Sequence, residues 1–199
     1  YRERLLASFF GIEGGVITGE TGIRPDLLVD DAVDLVALLK GVWCAFPAPH
    51  LLDIRDGYFK DADEAADALT ELYRHAMRTM RDAGIGGHVL ICDRADETEL
   101  SALSRQKVFF FHPAPQRTDL EALLEYQRQI AAGPDQLVAL FALSGEYDFS
   151  RLILLDPDAA SITLALSHLD PDQIAIGGYC TESCATYWKD LAGRAFTTP

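Results

Sequence analysis

The sequence has no long apolar run, and it is poor in basic residues. No apolar stretch approaches the roughly 20 residues that a membrane-spanning helix needs. Lysine and arginine total 17 against 31 aspartates and glutamates, so the formal net charge is −14. Because such a charge repels phosphate backbones and anionic lipid, we expect neither nucleic acid nor a membrane among the partners.

Cysteine is also scarce, since the 199 residues contain only Cys44, Cys92, Cys180 and Cys184. Four cysteines are too few for the disulfide framework of a small secreted domain. Three of them lie within or beside apolar runs, where a free cysteine behaves as a small buried hydrophobic residue. The composition, 49% hydrophobic and 24% charged, is that of a globular protein. These features together predict a cytoplasmic protein with reduced thiols.

From residue 61 onward, helical patterns alternate with short apolar runs. The runs predict buried strands at 87–92, 107–111, 151–155 and 173–178. The helical spacing predicts helices at 61–83, 96–105, 119–132, 157–169 and 182–194. Strands buried on both faces and separated by helices are typical of a parallel sheet covered on both sides. The predicted fold is therefore α/β, a three-layer, Rossmann-like domain with a mainly parallel sheet.

The first 59 residues are less regular. A helix is predicted to begin at Pro25, and two short strands fit around 42–46 and 50–54. The segment 136–143 is ambiguous between strand and helix. We predict a single domain over residues 1–199, in which the irregular segment 1–59 packs on a 60–199 core.

Polar or reactive residues follow four of the predicted strands. They are Cys92 with Asp93, His112, Asp156, and Tyr179 with Cys180. In open parallel sheets, ligands bind outside the carboxyl ends of the strands, so these residues are expected to share one crevice with a small molecule. The alternative is that the same residues begin turns or cap helices, as aspartate often does.

The most specific motif is Cys180-Thr-Glu-Ser-Cys184 before the last helix. With Thr181 as N-cap, Cys184 lies in the first helical turn, near unpaired backbone N–H groups. That position lowers the pKa of a thiol and favours the nucleophilic thiolate. The alternative is that Cys184 packs inward beside Trp188 as a core thiol.

This segment, IAIGGYCTESC, resembles the strand–loop–helix segment of isochorismatase-like cysteine hydrolases. The matching positions are Gly178, Thr181, Glu182 and Cys184. The resemblance implies that Cys184 is a nucleophile and that Asp53 is the aspartate of that family's first strand. No lysine lies between residues 108 and 188 to match the family's lysine. The resemblance therefore concerns the architecture.

The strand-end residues predict a thiol-dependent hydrolase or transferase. Its nucleophile would be Cys184 or Cys180, its base or orienting partner His112, and its polarising carboxylate Asp156 or Asp93. The first alternative is a non-catalytic ligand-binding or protein-interaction domain. The second is a zinc protein whose ligands are Cys92, His112, Cys180 and Cys184.

Three further features of the sequence also carry predictions. The remaining histidines, His50, His75, His88 and His168, are predicted to have surface or capping roles. Arg74, Arg78 and Arg81 fall on one side of a helix, where they form either a solvated face or an interface of a homodimer. The segment from Gly14 to Thr21 has phosphate-loop spacing but carries Glu20 where lysine belongs, so it is predicted to be a turn.

Overall fold

The computed structural model describes residues 4–105, 107–180 and 185–195. The strands of these ranges are β1 (Val16–Ile17), β2 (Trp43–Pro47), β3 (Arg55–Asp56), β4 (Gly87–Ile91), β5 (Val108–Phe111), β6 (Gln129–Ala132), β7 (Arg151–Leu155) and β8 (Ile174–Gly177). The α-helices are α1 (Pro25–Leu38), α2 (Ala62–Asp82), α3 (Glu97–Leu103), α4 (Arg117–Tyr126), α5 (Leu137–Ala142), α6 (Ala159–Leu166) and α7 (Ala185–Ala195). Helices and parallel strands alternate, so the predicted α/β class is confirmed.

The strands form a pair, β1–β3, and two three-stranded sheets, β2–β4–β5 and β6–β7–β8. In both larger sheets the spatial order follows the chain order. Strand β2 pairs with β4 over five residues, from Trp43 opposite Gly87 to Pro47 opposite Ile91. Parallel neighbours need long crossover connections, and the intervening helices supply them.

The chain divides into two compact units. The first comprises residues 1–92 and 97–110, and the second comprises residues 93–96 and 111–199. The first 59 residues contribute β1, β2, β3 and α1 to the first unit. The number of independently folding domains stays a prediction. Within the described ranges, no helix combines the length and apolar character needed to cross a bilayer.

Helix α2 forms where its sequence pattern predicts. The Asp61 carboxylate accepts hydrogen bonds from the backbone N–H groups of Asp63 and Glu64, which caps the helix. The buried face of the helix includes Tyr73, Ala76 and Met80, all three fully buried. An amphipathic helix capped at its start needs little tertiary information to be predicted.

One helix prediction is wrong at its end. Helix α4 stops at Tyr126, and residues 129–132 form β6 rather than continuing the helix. Ile130 and Ala132 are buried in the sheet, so strand pairing with β7 prevails over local helix propensity. Likewise, the strand predicted at 50–54 is largely a 3₁₀ helix, Pro49–Leu52, and the ambiguous segment 136–143 contains α5.

Gly86 lies so close to the turn at Gly41 that a side chain at position 86 would not fit. Gly86 donates its N–H to the Val42 carbonyl at 2.8 Å, and a Cβ on Gly86 would overlap the Gly41 carbonyl oxygen. We expect Gly86→Ala to lower the free energy of unfolding by about 1–3 kcal/mol, measured by urea denaturation. Gly145→Ala is the control, because a Cβ there meets nothing within 4 Å. Equal losses in the two variants would contradict this packing.

Candidate functional site

A buried pair of a carboxylate and an imidazole lies after the carboxyl ends of β2 and β4. His50 belongs to the 3₁₀ helix that follows β2, and Glu99 belongs to α3, which follows β4. One Glu99 oxygen lies 2.8 Å from His50 Nδ1, and the other accepts the His50 backbone N–H at 2.6 Å. The two side chains are only 5% and 10% exposed.

This arrangement sets the chemistry of the His50 ring. An ionised carboxylate only accepts hydrogen bonds, so Nδ1 carries a proton and donates it to Glu99. In the neutral imidazole the lone pair is then on Nε2, the accepting nitrogen of the ring. The same division of roles is found where a carboxylate orients a histidine base.

Tyr73 ties helix α2 to the end of β2. Its hydroxyl donates to the Pro47 carbonyl at 2.7 Å. Burial raises the pKa of the Tyr73 phenol well above its usual value of 10, and the negative charge of Glu99 raises that pKa further. Tyr73 therefore stays protonated and acts as a fixed donor that holds the end of β2.

The sequence pattern does not reveal His50 and Glu99 as a pair, because 49 positions separate them. The pairing of β2 with β4, continued by the hydrogen bond from the Ala48 N–H to the Ile91 carbonyl, brings the two segments together. A usable signal was present for His50. The strand-end rule that selected His112 also applies to the predicted strand 42–46, and it would have included the nearby histidine.

His112, the predicted base, lies directly after β5 and is 8% exposed. Its Nδ1 accepts the Ala114 N–H at 3.1 Å, so in the neutral ring the proton is on Nε2. Nε2 lies 3.7 Å from an Asp119 oxygen, beyond hydrogen-bond distance. Asp119 itself accepts the N–H groups of Ala95 and Gln116, each at 3.0 Å. The His112 ring is thus oriented by a backbone N–H group.

Two of the predicted strand-end residues lie in ordered contacts within the second unit. The rings of Phe111 and Tyr179 are 5.2 Å apart. The Asp156 N–H donates to the Gly177 carbonyl at 3.0 Å, which joins the end of β7 to β8. Asp156 is exposed and adopts a left-handed conformation with φ 44°.

The predicted thiols have different surroundings. Cys92 is a buried cysteine, and Asp93 beside it is exposed. Cys180 is disulfide-bonded, contrary to the expected reduced state, and a disulfide sulfur is not a thiolate. Cys184, with Thr181 and Glu182, lies outside the described residues. The catalytic roles of these residues stay predictions.

No group of three or more His, Cys, Asp or Glu side chains able to hold a metal occurs in the described part of the chain. The predicted zinc ligands Cys92, His112 and Cys180 belong to that part, and the fourth, Cys184, does not. The zinc site stays a prediction.

Two of the three arginines of α2 have different environments. Arg74 donates two hydrogen bonds to the Ala102 carbonyl and lies 2.8 Å from Glu71. Arg78 lies 3.8 Å from Asp82, and both side chains are exposed. Arg74 thus ties α2 to α3. A charge-dependent homodimer through Arg78 and Arg81 stays a prediction.

The chain matches no sequence family, but its fold is similar to that of a solved structure. No protein-family model matches the sequence, and no curated protein matches it. The resemblance to isochorismatase-like hydrolases therefore gains no support, and Asp53 lies between the 3₁₀ helix and β3 rather than in a strand. The chain is similar to the crystal structure of a proposed vitamin-B12 independent methionine synthase from Listeria monocytogenes. The TM-score is 0.71 at 15% identity, covering 98% of this chain and 78% of that one.

Proposed function

We propose that this protein is an enzyme acting on a small molecule, with His50 as its general base and Glu99 as the residue that positions it. The observation that carries the proposal is the double hydrogen bond of Glu99 to the backbone and ring of His50. A base held in one orientation and one tautomer does not have to be reorganised during proton transfer.

The position of the pair supports the same proposal. It follows the carboxyl ends of parallel strands, which is where α/β enzymes bind their substrates. Its small exposed fraction indicates a weakly solvated site, in which the charge of Glu99 acts strongly on the imidazole.

The chemistry that we propose is thiol-dependent transfer or hydrolysis. In the transfer, His50 Nε2 takes the proton of a substrate thiol. The resulting thiolate forms a bond to the transferred group as the bond of that group to its donor breaks, and the donor leaves with that electron pair. The similar Listeria structure is described as a methionine synthase, and the sulfur of methionine carries a methyl group. That likeness supports the fold alone, and it makes homocysteine the first thiol to test.

The test compares His50→Gln with His75→Gln, which removes an exposed histidine of α2. We would assay homocysteine methylation with a panel of methyl donors, and p-nitrophenyl acetate hydrolysis. We expect His50→Gln to lower kcat by about 10²–10⁴-fold, with little change in KM and with loss of the pH dependence due to the base. The control should keep the wild-type rate. A fully active His50→Gln variant would refute the role of His50.

A non-catalytic ligand-binding domain is the second candidate. It is favoured by Cys180, which is disulfide-bonded, and by His112, whose Nδ1 is used by a backbone N–H. Saturable binding of homocysteine without turnover in any assay would favour this candidate over the enzyme.

A further inference from the structure

Exposed apolar side chains are concentrated on helix α1 and the segment that follows it. Among the residues that the structure describes, twelve large hydrophobic side chains are exposed, and six of them fall between positions 27 and 43. The six are Leu27, Val29, Val33, Leu38, Leu39 and Trp43. Val33 is 52% exposed and Leu38 is 84% exposed. Single exposed apolar residues are normal, whereas a concentration of them on one element is typical of an interaction site.

The outward side of α1 also carries a stripe of acidic side chains. Leu28 and Ala32 are fully buried, so the opposite side of the helix faces solvent. Asp26, Asp30 and Asp34 are all exposed and follow one another at intervals of four residues. Residues four apart lie one above the other on a helix, so the three carboxylates form one stripe along the exposed side.

Two apolar rows flank the acidic stripe. At about 100° per residue, Val29 and Val33 fall on one side of the aspartates, and Leu27 and Leu38 fall on the other. Neither feature stabilises the helix itself, because the exposed rows bury little area and like charges four residues apart are destabilising. The combination of apolar rows and one sign of charge is suited to recognition of another molecule.

The charge of this surface selects the occupant. A basic amphipathic helix presents apolar side chains to the rows and lysine or arginine to the aspartates at the same time. A second copy of this chain fits less well, because a twofold dimer through α1 would place the acidic stripe against its own counterpart. Anionic lipid would be repelled by the same stripe.

We propose that the exposed side of α1 is a docking surface for a basic amphipathic helix of another protein. The cationic side chains of that helix pair with Asp30 and Asp34, and its apolar side chains pack on Val33 and Leu38. His50 belongs to the 3₁₀ helix after β2 and is not part of this surface. The inference therefore goes beyond the proposed enzyme and does not depend on it.

The test uses a fluorescently labelled peptide of leucine and lysine, about 18 residues long and patterned as an amphipathic helix. Its anisotropy is followed as the full chain is added. One control peptide has the same composition in scrambled order, and a second has glutamate in place of lysine. We expect saturable one-to-one binding of the patterned peptide and at least about tenfold weaker binding of both controls. No saturable binding, or equal binding of the scrambled peptide, overturns the proposal.

Paired variants separate the acidic stripe from the net charge of the protein. The double variant Asp30→Asn with Asp34→Asn is compared with Asp63→Asn with Asp67→Asn, two exposed aspartates four residues apart on α2. Both double variants change the net charge equally. We expect the α1 variant to weaken peptide binding at least about fivefold and the α2 variant to weaken it less than about twofold. Equal weakening in the two would overturn the assignment to α1.

A second pair of variants tests the apolar rows. We expect Val33→Ser with Leu38→Ser to weaken binding at least about tenfold, whereas Val138→Ser, at a 72% exposed position of α5, leaves it unchanged. Thermal unfolding should show the same midpoint for all three proteins within a few degrees, since the replaced side chains are exposed. Undiminished binding in the α1 variant overturns the proposal. So does a wild-type dimer, seen by sedimentation, that this variant dissociates, because a second copy would then be the occupant.

Discussion

Glu99→Ala is expected to lower the free energy of unfolding by about 3 kcal/mol, because it leaves two buried donors without an acceptor. These donors are the backbone N–H of His50 and its Nδ1, both now bonded to the Glu99 carboxylate. The substitution also removes a side chain that holds the 3₁₀ helix after β2 against α3.

Urea denaturation would measure this loss, with Glu97→Ala as the control in the same helix. Glu97 is exposed, so its replacement should change stability by less than about 0.5 kcal/mol. Glu99→Gln keeps one acceptor, so its loss of stability should lie between those of Glu99→Ala and Glu97→Ala. A double-mutant cycle with His50→Ala should give a coupling energy of about 1–3 kcal/mol. Independent effects of the two substitutions would show that the contact does not stabilise the protein.

His88→Leu is expected to stabilise the protein by about 1–3 kcal/mol at pH 7. His88 lies on β4, is fully buried, and has no hydrogen-bond partner for either ring nitrogen within the described part of the chain. Its surroundings are apolar, with the Phe46 ring 5.3 Å away and Cys44 opposite in the register of β2. Leucine is of similar size and has no polar group to bury.

The same histidine makes the wild-type protein sensitive to acid. Burial, aided by the positive charge of Arg81, lowers the pKa of His88 from 6.5 to about 3. Between those two pH values the unfolded chain binds a proton at this position and the folded chain does not. Stability is therefore unaffected by His88 above pH 6.5 and falls as the pH decreases below it. The loss is about 2 kcal/mol at pH 5, since one pKa unit corresponds to about 1.36 kcal/mol.

Urea denaturation at pH 7 and pH 5 would separate this effect from the titration of other groups. Those groups are common to wild type and His88→Leu, so the difference between the two proteins isolates His88. We expect the advantage of the leucine variant to grow by about 2 kcal/mol on going to pH 5. An advantage that does not change with pH would mean that His88 is protonated, or solvated, in the folded state.

Elements with strong local signals were predicted well. Helix α2 has an aspartate cap, an amphipathic face and a glycine after it, and β4 and β7 are short apolar runs bounded by polar residues or glycine. Such signals depend on neighbours in the chain, so composition and spacing suffice to place the elements. The α/β class follows from their alternation.

Residues 127–132 show where local reasoning fails. Helix propensity and the following Gly133-Pro134 favour a longer α4, yet Ile130 and Ala132 pair with Leu152 and Leu154 of β7. Burial between two strands outweighs a propensity difference of less than about 1 kcal/mol per residue. That burial depends on a segment some twenty positions away, which a local pattern does not contain.

The sequence alone was sufficient for the α/β class, for most helices and strands, and for the absence of a long apolar segment. It also placed His112 and Asp156 at strand ends. Only the tertiary structure paired His50 with Glu99, because that contact depends on the register of β2 on β4. It also showed that the His88 ring is buried with no hydrogen-bond partner among the residues that the structure describes. The reason is that charge and burial at a site are set by side chains from distant segments, whereas the elements themselves are set largely by neighbours.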